Sequence, residues 1–341
     1  MITTRRAAAA AAAAAALLPI LVACGTKNDA AKTDSAARTD SAAAAATPGG
    51  APGAAAAAGG AYQHYTTLTG FKNPESVKYD ADQDVYFVSN VNGNPSAKDG
   101  NGFISRVRPD STIDSLKFIA GGRGGVTLNA PKGMAIVGDT LVVADIDAVR
   151  FFDKRTGKAL GSVELGKMKA HFLNDVAAGP DGAVYITDTG VLFDAKGGTS
   201  HPGPDQIFKI VGRTPSVAVS DSSLAGPNGI LYDKANGRFV VVPFAGTSVM
   251  TWKAGDAKPA PLSTTGLAGQ MDGVELLGDG RLLVTSWADS SVAVVGATGG
   301  AATKVVTGVF GPADIGVDTK RNRLLVPLLM NDKVEVYDIK K

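Results

Sequence analysis

The sequence predicts an all-β, six-bladed propeller built from four-stranded antiparallel blades. Three observations carry that prediction. A short phrase opening on a polar residue and continuing as an apolar strand returns six times, at Glu75, Lys132, Asn174, Asn228, Asp272 and Ala313. The spacings of 57, 42, 54, 44 and 41 residues fall around the length of a propeller blade. Within each phrase the second and fourth residues after the leading one are apolar, from Val77 and Tyr79 in the first to Ile315 and Val317 in the last. A period of two belongs to a strand and not to a helix.

The remaining strands follow in order. Second strands are expected at VYFVSN, LVVADI, AVYITD, FVVVPF, LLVTSW and LLVPLL, and third strands at FISRVR, VRFFD, QIFKI, SVMTW, SVAVV and KVEVYDI. Turn sequences such as Pro180-Asp181-Gly182, Asn236-Gly237 and Asp279-Gly280 separate them. No convincing amphipathic helix is present outside the leader. After Ala313 only three strands remain, so the outer strand of the last blade is expected from residues 62–70, closing the ring with both ends of the chain.

Residues 1–23 are set apart as an export leader, with Arg5 and Arg6 before an Ala- and Leu-rich run that ends Leu21-Val22-Ala23-Cys24. That ending resembles a bacterial lipobox, with Cys24 lipidated; the alternative is a retained membrane helix. Gly25 offers no Asp-type retention signal, so the periplasmic side of an outer membrane is the expected location. Residues 24–60 are Ala, Gly, Pro, Ser, Thr and Asp with almost no large apolar side chain. They read as a disordered tether. The propeller is expected over 61–341, as a monomer.

Cys24 is the sole cysteine, which removes disulfides, a thiol nucleophile and Cys-based metal sites from consideration. The formal charge is only +2, with no basic stripe, so nucleic acid is not an expected partner. Three histidines, His64, His171 and His201, have no ligand spacing to one another, which argues against zinc.

Strand polarity puts all six leading residues at one mouth of the central channel. The two long second-to-third-strand connections, 91–101 and 189–205, hang over the same mouth and are expected to be lids. Glu75, Asn174, Asn228 and Asp272 are oxygen donors of the kind a hard cation such as Ca2+ takes.

The phrases Asn174-Asp175, Pro227-Asn228-Gly229 and Asp272-Gly273, with Glu75, resemble the senescence-marker-protein/gluconolactonase/luciferin-regenerating-enzyme family of calcium-dependent propeller lactonases. The resemblance covers roughly residues 70–341. It implies that Glu75, Asn228 and Asp272 hold a divalent metal and that Asn174 contacts substrate or metal. It also makes Asp272 the general base of a metal-dependent hydrolase acting on a small-molecule lactone or ester. Phe172 stands where the nearest lactonases place a substrate-binding Arg, which favours a more apolar ligand.

Several residues admit two readings. Lys132 either stabilises a developing oxyanion or pairs with Glu75 and displaces the cation. His171 either replaces the missing Arg or is structural. Trp287 either walls a substrate pocket or packs beneath a lid. Asp175 and Asp314 either hold a second cation or cap turns, and Asn90, Asp145 and Asp188 read as turn caps. The rival to hydrolysis is a non-catalytic propeller that binds a protein, peptide or glycan at the cell envelope.

Overall fold

The computed structural model describes residues 60–340. The leader, Cys24 and the tether expected ahead of Gly60 lie outside the described residues. Six antiparallel four-stranded sheets form the blades. Blade one comprises Pro74–Asp80, Val85–Asn90, Phe103–Val107 and Ile113–Ala120. Blade two comprises Pro131–Val137, Thr140–Asp145, Ala148–Asp153 and Ala159–Glu164. Blade three comprises Leu173–Ala178, Val184–Asp188, Gln206–Val211 and Thr214–Ser220. Blade four runs Pro227–Asp233, Arg238–Pro243, Met250–Trp252 and Ala260–Pro261; blade five runs Met271–Leu276, Leu282–Ser286, Ser291–Val295 and Thr303–Thr307.

Blade six is closed from the other end of the chain, as the strand count requires. Tyr62–Thr69 pairs antiparallel with Lys333–Ile339, from Tyr62 opposite Ile339 to Thr69 opposite Lys333. Gly316–Asp318 and Arg323–Leu328 complete the sheet. Its innermost strand is only three residues long, with an isolated bridge from Pro312 to Leu328 preceding it. The helical content among the described residues is two three-residue 3-10 turns, Gly166–Met168 and Ser222–Leu224.

Burial explains why the strands alternate. Side chains on the two faces of each blade pack against its neighbours, giving one apolar cluster at every blade interface. Val85, Phe87, Met134 and Leu141 lie between blades one and two, and Tyr185, Ile207, Phe239 and Trp252 between three and four. Leu68, Phe71, Val77 and Leu325 seal blade six to blade one, across the junction of the two chain ends. The core is thus six wedges arranged around a polar channel.

The first strands crowd that channel, and this is where glycine becomes necessary. A Cβ on Gly273 would lie 2.6 Å from the Ile315 amide nitrogen of the next blade, and one on Gly229 would meet the Asp272 carbonyl. Adjacent first strands can approach this closely only without a side chain there.

Candidate functional site

A β-bulge aims each leading residue. In blades one to five the pairing of first and second strands shifts register at the phrase: between Pro74 and Val77, Pro131 and Met134, Leu173 and Val176, Pro227 and Ile230, and Met271 and Val274. A bulge bends the strand and re-aims a side chain, here toward the channel. The ladder bond lost is replaced by a hydroxyl from the second strand. Ser89 Oγ accepts from Ser76 N (2.9 Å), Thr187 Oγ1 from Asp175 N (2.9 Å) and Thr285 Oγ1 from Gly273 N (2.6 Å). Thr187 and Thr285 pass the link onward, donating to the carbonyls of Asn228 and Ala313.

The side chains so presented are Glu75, Asn174, Asn228 and Asp272, only 4 to 5% exposed. Each has one buried oxygen with no hydrogen-bond partner: Glu75 Oε2, Asn174 Oδ1, Asn228 Oδ1 and Asp272 Oδ1. Buried oxygens are almost always paired, and leaving one unpaired costs about 1–3 kcal/mol. Four at one register position of four inner strands form a set of oxygen donors that fits a hard cation. Among the described residues no group of three or more His, Cys, Asp and Glu could hold a metal ion, consistent with a ring of two carboxylates and two amides.

The amide orientation of Asn174 is fixed by its surroundings. Its Nδ2 donates to Thr189 Oγ1 (3.1 Å), and that hydroxyl donates to the Pro227 carbonyl (2.9 Å), which leaves Oδ1 for the ring. Asp272 is fixed likewise, because the Trp287 indole donates to its Oδ2 at 2.9 Å. Trp287 is half-buried, with Phe244 edge-on against it at a centroid distance of 6.0 Å.

Electrostatics favour a cation in the ring. Burial pushes the Glu75 carboxyl well above its usual range, and the nearby charges of Asp272 and Asp314 add to this against Lys132. Asp272 is pushed up to about 8, by burial first and then Asp314, while the Trp287 and Asn228 side chains oppose the shift. Burial also raises Asp175, with Asp314 contributing. Too much negative charge is enclosed here for the ammonium groups present.

Lys132 does not neutralise it. Its ammonium, on a residue 1% exposed, donates to the carbonyls of Pro95 (3.0 Å) and Ala130 (3.3 Å) and lies 4.0 Å from the centroid of the Phe172 ring. The alternative that paired Lys132 with Glu75 is therefore corrected: no ion pair joins them. Bulging at Pro131 and the π face of Phe172 draw the ammonium toward the lid instead. Burial lowers its pKa to about 8, with Glu75, Asp145 and Asp188 opposing from farther off.

Phe172 is thus the cation's platform, and it also meets Phe193 of the second lid at 5.5 Å. The lids touch one another as well: Asn94 Nδ2 donates to the Asp194 carbonyl (2.8 Å) and Phe193 N to Ser96 Oγ (3.1 Å). His171 belongs to this roof, with its ring against Gly203 of the second lid. His201 meets the Thr189 carbonyl and Asp205. Neither histidine hydrogen-bonds to any of the four ring oxygens.

Other acidic groups have structural work. Asp188 accepts from Phe172 N (2.8 Å), Gly190 N (3.1 Å) and Gln206 Nε2 (3.2 Å), and Asp145 accepts from Asn129 N, Ala130 N and Arg150. Asn90 accepts from Lys72 N. All three fasten the segment entering the first strand to the end of the second. Asp175 takes Val176 N and, across the blade boundary, Ile230 N. Asp314 takes the Ser76 hydroxyl (2.5 Å) and Lys78 Nζ (3.1 Å).

Sequence reading missed Thr189, which orients Asn174, and the channel lysine Lys78. The latter also meets Glu275 Oε1 (3.0 Å) and the Ile315 carbonyl, joining blade one to blades five and six. One signal was available: Lys78 and Glu275 occupy the same place, three after the leading residue, where the other blades carry Ala135, Ala177, Leu231 and Gly316.

Residues 73–315 match the family model described as the SMP-30/Gluconolactonase/LRE-like region. Among solved structures, a gluconolactonase from Xanthomonas campestris is similar, at 16% identity and a TM-score of 0.60 over 84% of this chain and 98% of that one. Virginiamycin B lyase from Staphylococcus aureus is similar at 11% identity and 0.55, over 80% and 98%. A streptogramin B lyase matches at 10% and 0.54, over 82% and 97%. No curated protein sequence matches significantly. At these identities the structural likeness shows a shared propeller, and the lyases among the neighbours show that the propeller alone does not select a reaction.

Proposed function

The chain belongs to the SMP-30/Gluconolactonase/LRE-like family, and from that premise we propose that it hydrolyses a lactone or related ester at the ring of Glu75, Asn174, Asn228 and Asp272. The observation that carries the reading is the set of four buried oxygens without hydrogen-bond partners on four inner strands. A divalent cation, Ca2+ for an all-oxygen donor set of this size, would be held by those four residues and would supply Lewis-acid polarisation of the substrate carbonyl.

The chain's own groups divide the remaining work. Asp272 accepts a proton from the attacking water, with Trp287 holding its Oδ2 so that the carboxylate cannot rotate. Asn174, locked by Thr189, orients the substrate oxygen. Lys132 is a buried ammonium bonded to two carbonyls and set against an aromatic face. Such a group suits a developing oxyanion or the carboxylate released when the ring opens. Phe172 stands in place of a guanidinium, and its ring carries the Lys132 ammonium, so the cationic donor on this side of the ring is Lys132.

Calcium titration of the purified protein by calorimetry, combined with turnover of a lactone panel, tests this. Metal-dependent hydrolysis abolished in Asp272→Ala is the expected result. Equal calcium affinity in wild type and Asp272→Ala would remove the site. Tight calcium binding without turnover of any lactone or ester would favour an envelope binding module.

We propose further that Cys24 carries a lipid that anchors the protein at the periplasmic side of an outer membrane. The basic start, apolar run and LVAC ending support this. Metabolic labelling with a radioactive fatty acid, absent in Cys24→Ser, is the expected outcome; equal membrane retention without label would refute it.

A further inference from the structure

The mouth is roofed unevenly. Lids 91–101 and 189–205 lean over it from blades one and three and are bonded together. The second-to-third-strand connections of blades four, five and six, 244–249, 287–290 and 329–332, are short by comparison. Along this open arc stand large apolar side chains. Trp287 is fixed to Asp272 and Phe244 packs edge-on against it. Phe310, in the segment leading into blade six, is 59% exposed, and Met330, in that blade's second-to-third-strand loop, is 53% exposed.

Backbone bonds make the arc one surface. Ser290 N donates to the Trp287 carbonyl (3.3 Å), Val309 N to the Ser290 carbonyl (3.0 Å), and Leu329 N to the Gly311 carbonyl (3.1 Å). The Met330 side chain lies over Gly311, so closely that a Cβ there would sit 2.7 Å from Met330 Cγ. The other exposed large apolar residues, Tyr65, Leu116, Leu160, Val211 and Val217, belong to third, fourth or closing strands at the outer part of the blades. Phe310 and Met330 alone among them lie in connections on the mouth face, in segments joined by backbone bonds to the one carrying Trp287.

We infer that Trp287, Phe310 and Met330 form a subsite for the alkyl or acyl chain of the substrate, which leaves the ring between blades five and six. The inference rests on the hydrolase reading to the extent that the substrate's carbonyl end is seated at Asp272. The opposite exit is closed by the joined lids, and its aromatic residue Phe172 is already covered by Lys132 and Phe193. A chain laid along the arc exchanges water for the Trp287 ring and the exposed faces of Phe310 and Met330. Full burial of a methylene is worth about four-fold in affinity; on an open surface about two-fold per methylene is expected.

The test uses two series of increasing alkyl length on intact protein: γ-lactones, followed by turnover, and matching γ-lactams, which resist opening, followed by calorimetric binding. Wild type is expected to gain about two-fold per methylene in both series. The Phe310→Ser/Met330→Ser double variant alters only exposed side chains. It should lose that gain while its turnover of the shortest lactone stays within about two-fold of wild type. An unchanged slope in the double variant, or a flat slope in wild type, overturns the subsite. The two readings fail separately. Lactam affinities that lose their slope in the variant, with no lactone or ester of matching chain length hydrolysed by wild type, keep the subsite and refute the hydrolase. Lactones hydrolysed without any slope do the reverse.

Discussion

Stripping divalent cations and raising the pH should lower the melting temperature of this protein. Asp272 is 5% exposed and makes no ion pair, and burial followed by the neighbouring Asp314 pushes it up to about 8. An unperturbed Asp titrates near about 3.9. A carboxyl with a raised folded-state pKa holds its proton more tightly in the fold than in the unfolded chain. Its contribution is complete below the unfolded value and disappears as the pH climbs through the folded one. From pH 5 to 8 that is about three pH units, less the half-titration at the upper end, at about 1.4 kcal/mol per unit, or roughly 4 kcal/mol. Glu75, raised by burial first and Asp272 second, acts with the same sign. For a domain of this size about 2 °C accompanies each kcal/mol, so a fall of roughly 8 °C is expected. Carboxylates with the opposite sign, such as Asp84 held low by Arg321 and Lys320, lose their contribution in stronger acid, below this window. The assay is thermal melting by circular dichroism at pH 5, 6, 7 and 8, in chelator and in saturating calcium. Calcium should flatten the profile by competing with the protons, and Asp272→Asn should remove much of the slope. A melting temperature in chelator that is flat, or that rises from pH 5 to 8, would refute the account of the ring.

Other perturbations separate the roles of neighbouring groups. Asn174→Ala or Asn228→Ala should each weaken calcium binding by about 10- to 100-fold in calorimetry while leaving the melting temperature at pH 5 close to wild type. Lys132→Met keeps the volume and removes the charge; kcat should fall about 100-fold if the ammonium meets a developing oxyanion, whereas a change confined to KM would make it a binding group. The same variant loses the bond to Pro95, so limited proteolysis within 91–101 should accelerate. Asp188→Ala strands the amides of Phe172 and Gly190, at a cost of about 3 kcal/mol read by denaturant unfolding. Deleting residues 60–69 bares the edge of Lys333–Ile339, and aggregation on size-exclusion chromatography is expected.

The blades were legible because their strands bury both faces against neighbours, which writes period-two apolar patterns into the sequence at every repeat. The closing strand was legible for a different reason: a count of three strands after Ala313 left an edge that Tyr62–Thr69 supplies. Glu75, Asn174, Asn228 and Asp272 stood out because each opens its phrase, and the bulge that points them inward occurs at that place. The direction taken by Lys132 was hidden. It depends on a carbonyl 37 residues earlier and a ring 40 residues later, which only the closed propeller brings together. Thr189 was hidden by its place in an irregular loop, where no periodicity distinguishes one hydroxyl from another. The lids were found as length, but their mutual bonds, Asn94 to Asp194 and Phe193 to Ser96, span about 100 residues and leave no local pattern.

The seam in blade six sets an order of events during synthesis. Tyr62 pairs with Ile339, so the joint that shuts the circle is made between residues 277 apart. Blade one also depends on what comes last, since Ser76 and Lys78 find Asp314 only when blade six arrives. Contacts of such separation form slowly, after the loop entropy has been overcome. A nascent chain therefore carries Glu75 early and Asp272 late, with no enclosed ring between them. On the reading proposed above, a cation could be held only once nearly the whole polypeptide had emerged, so metal loading would report completed folding.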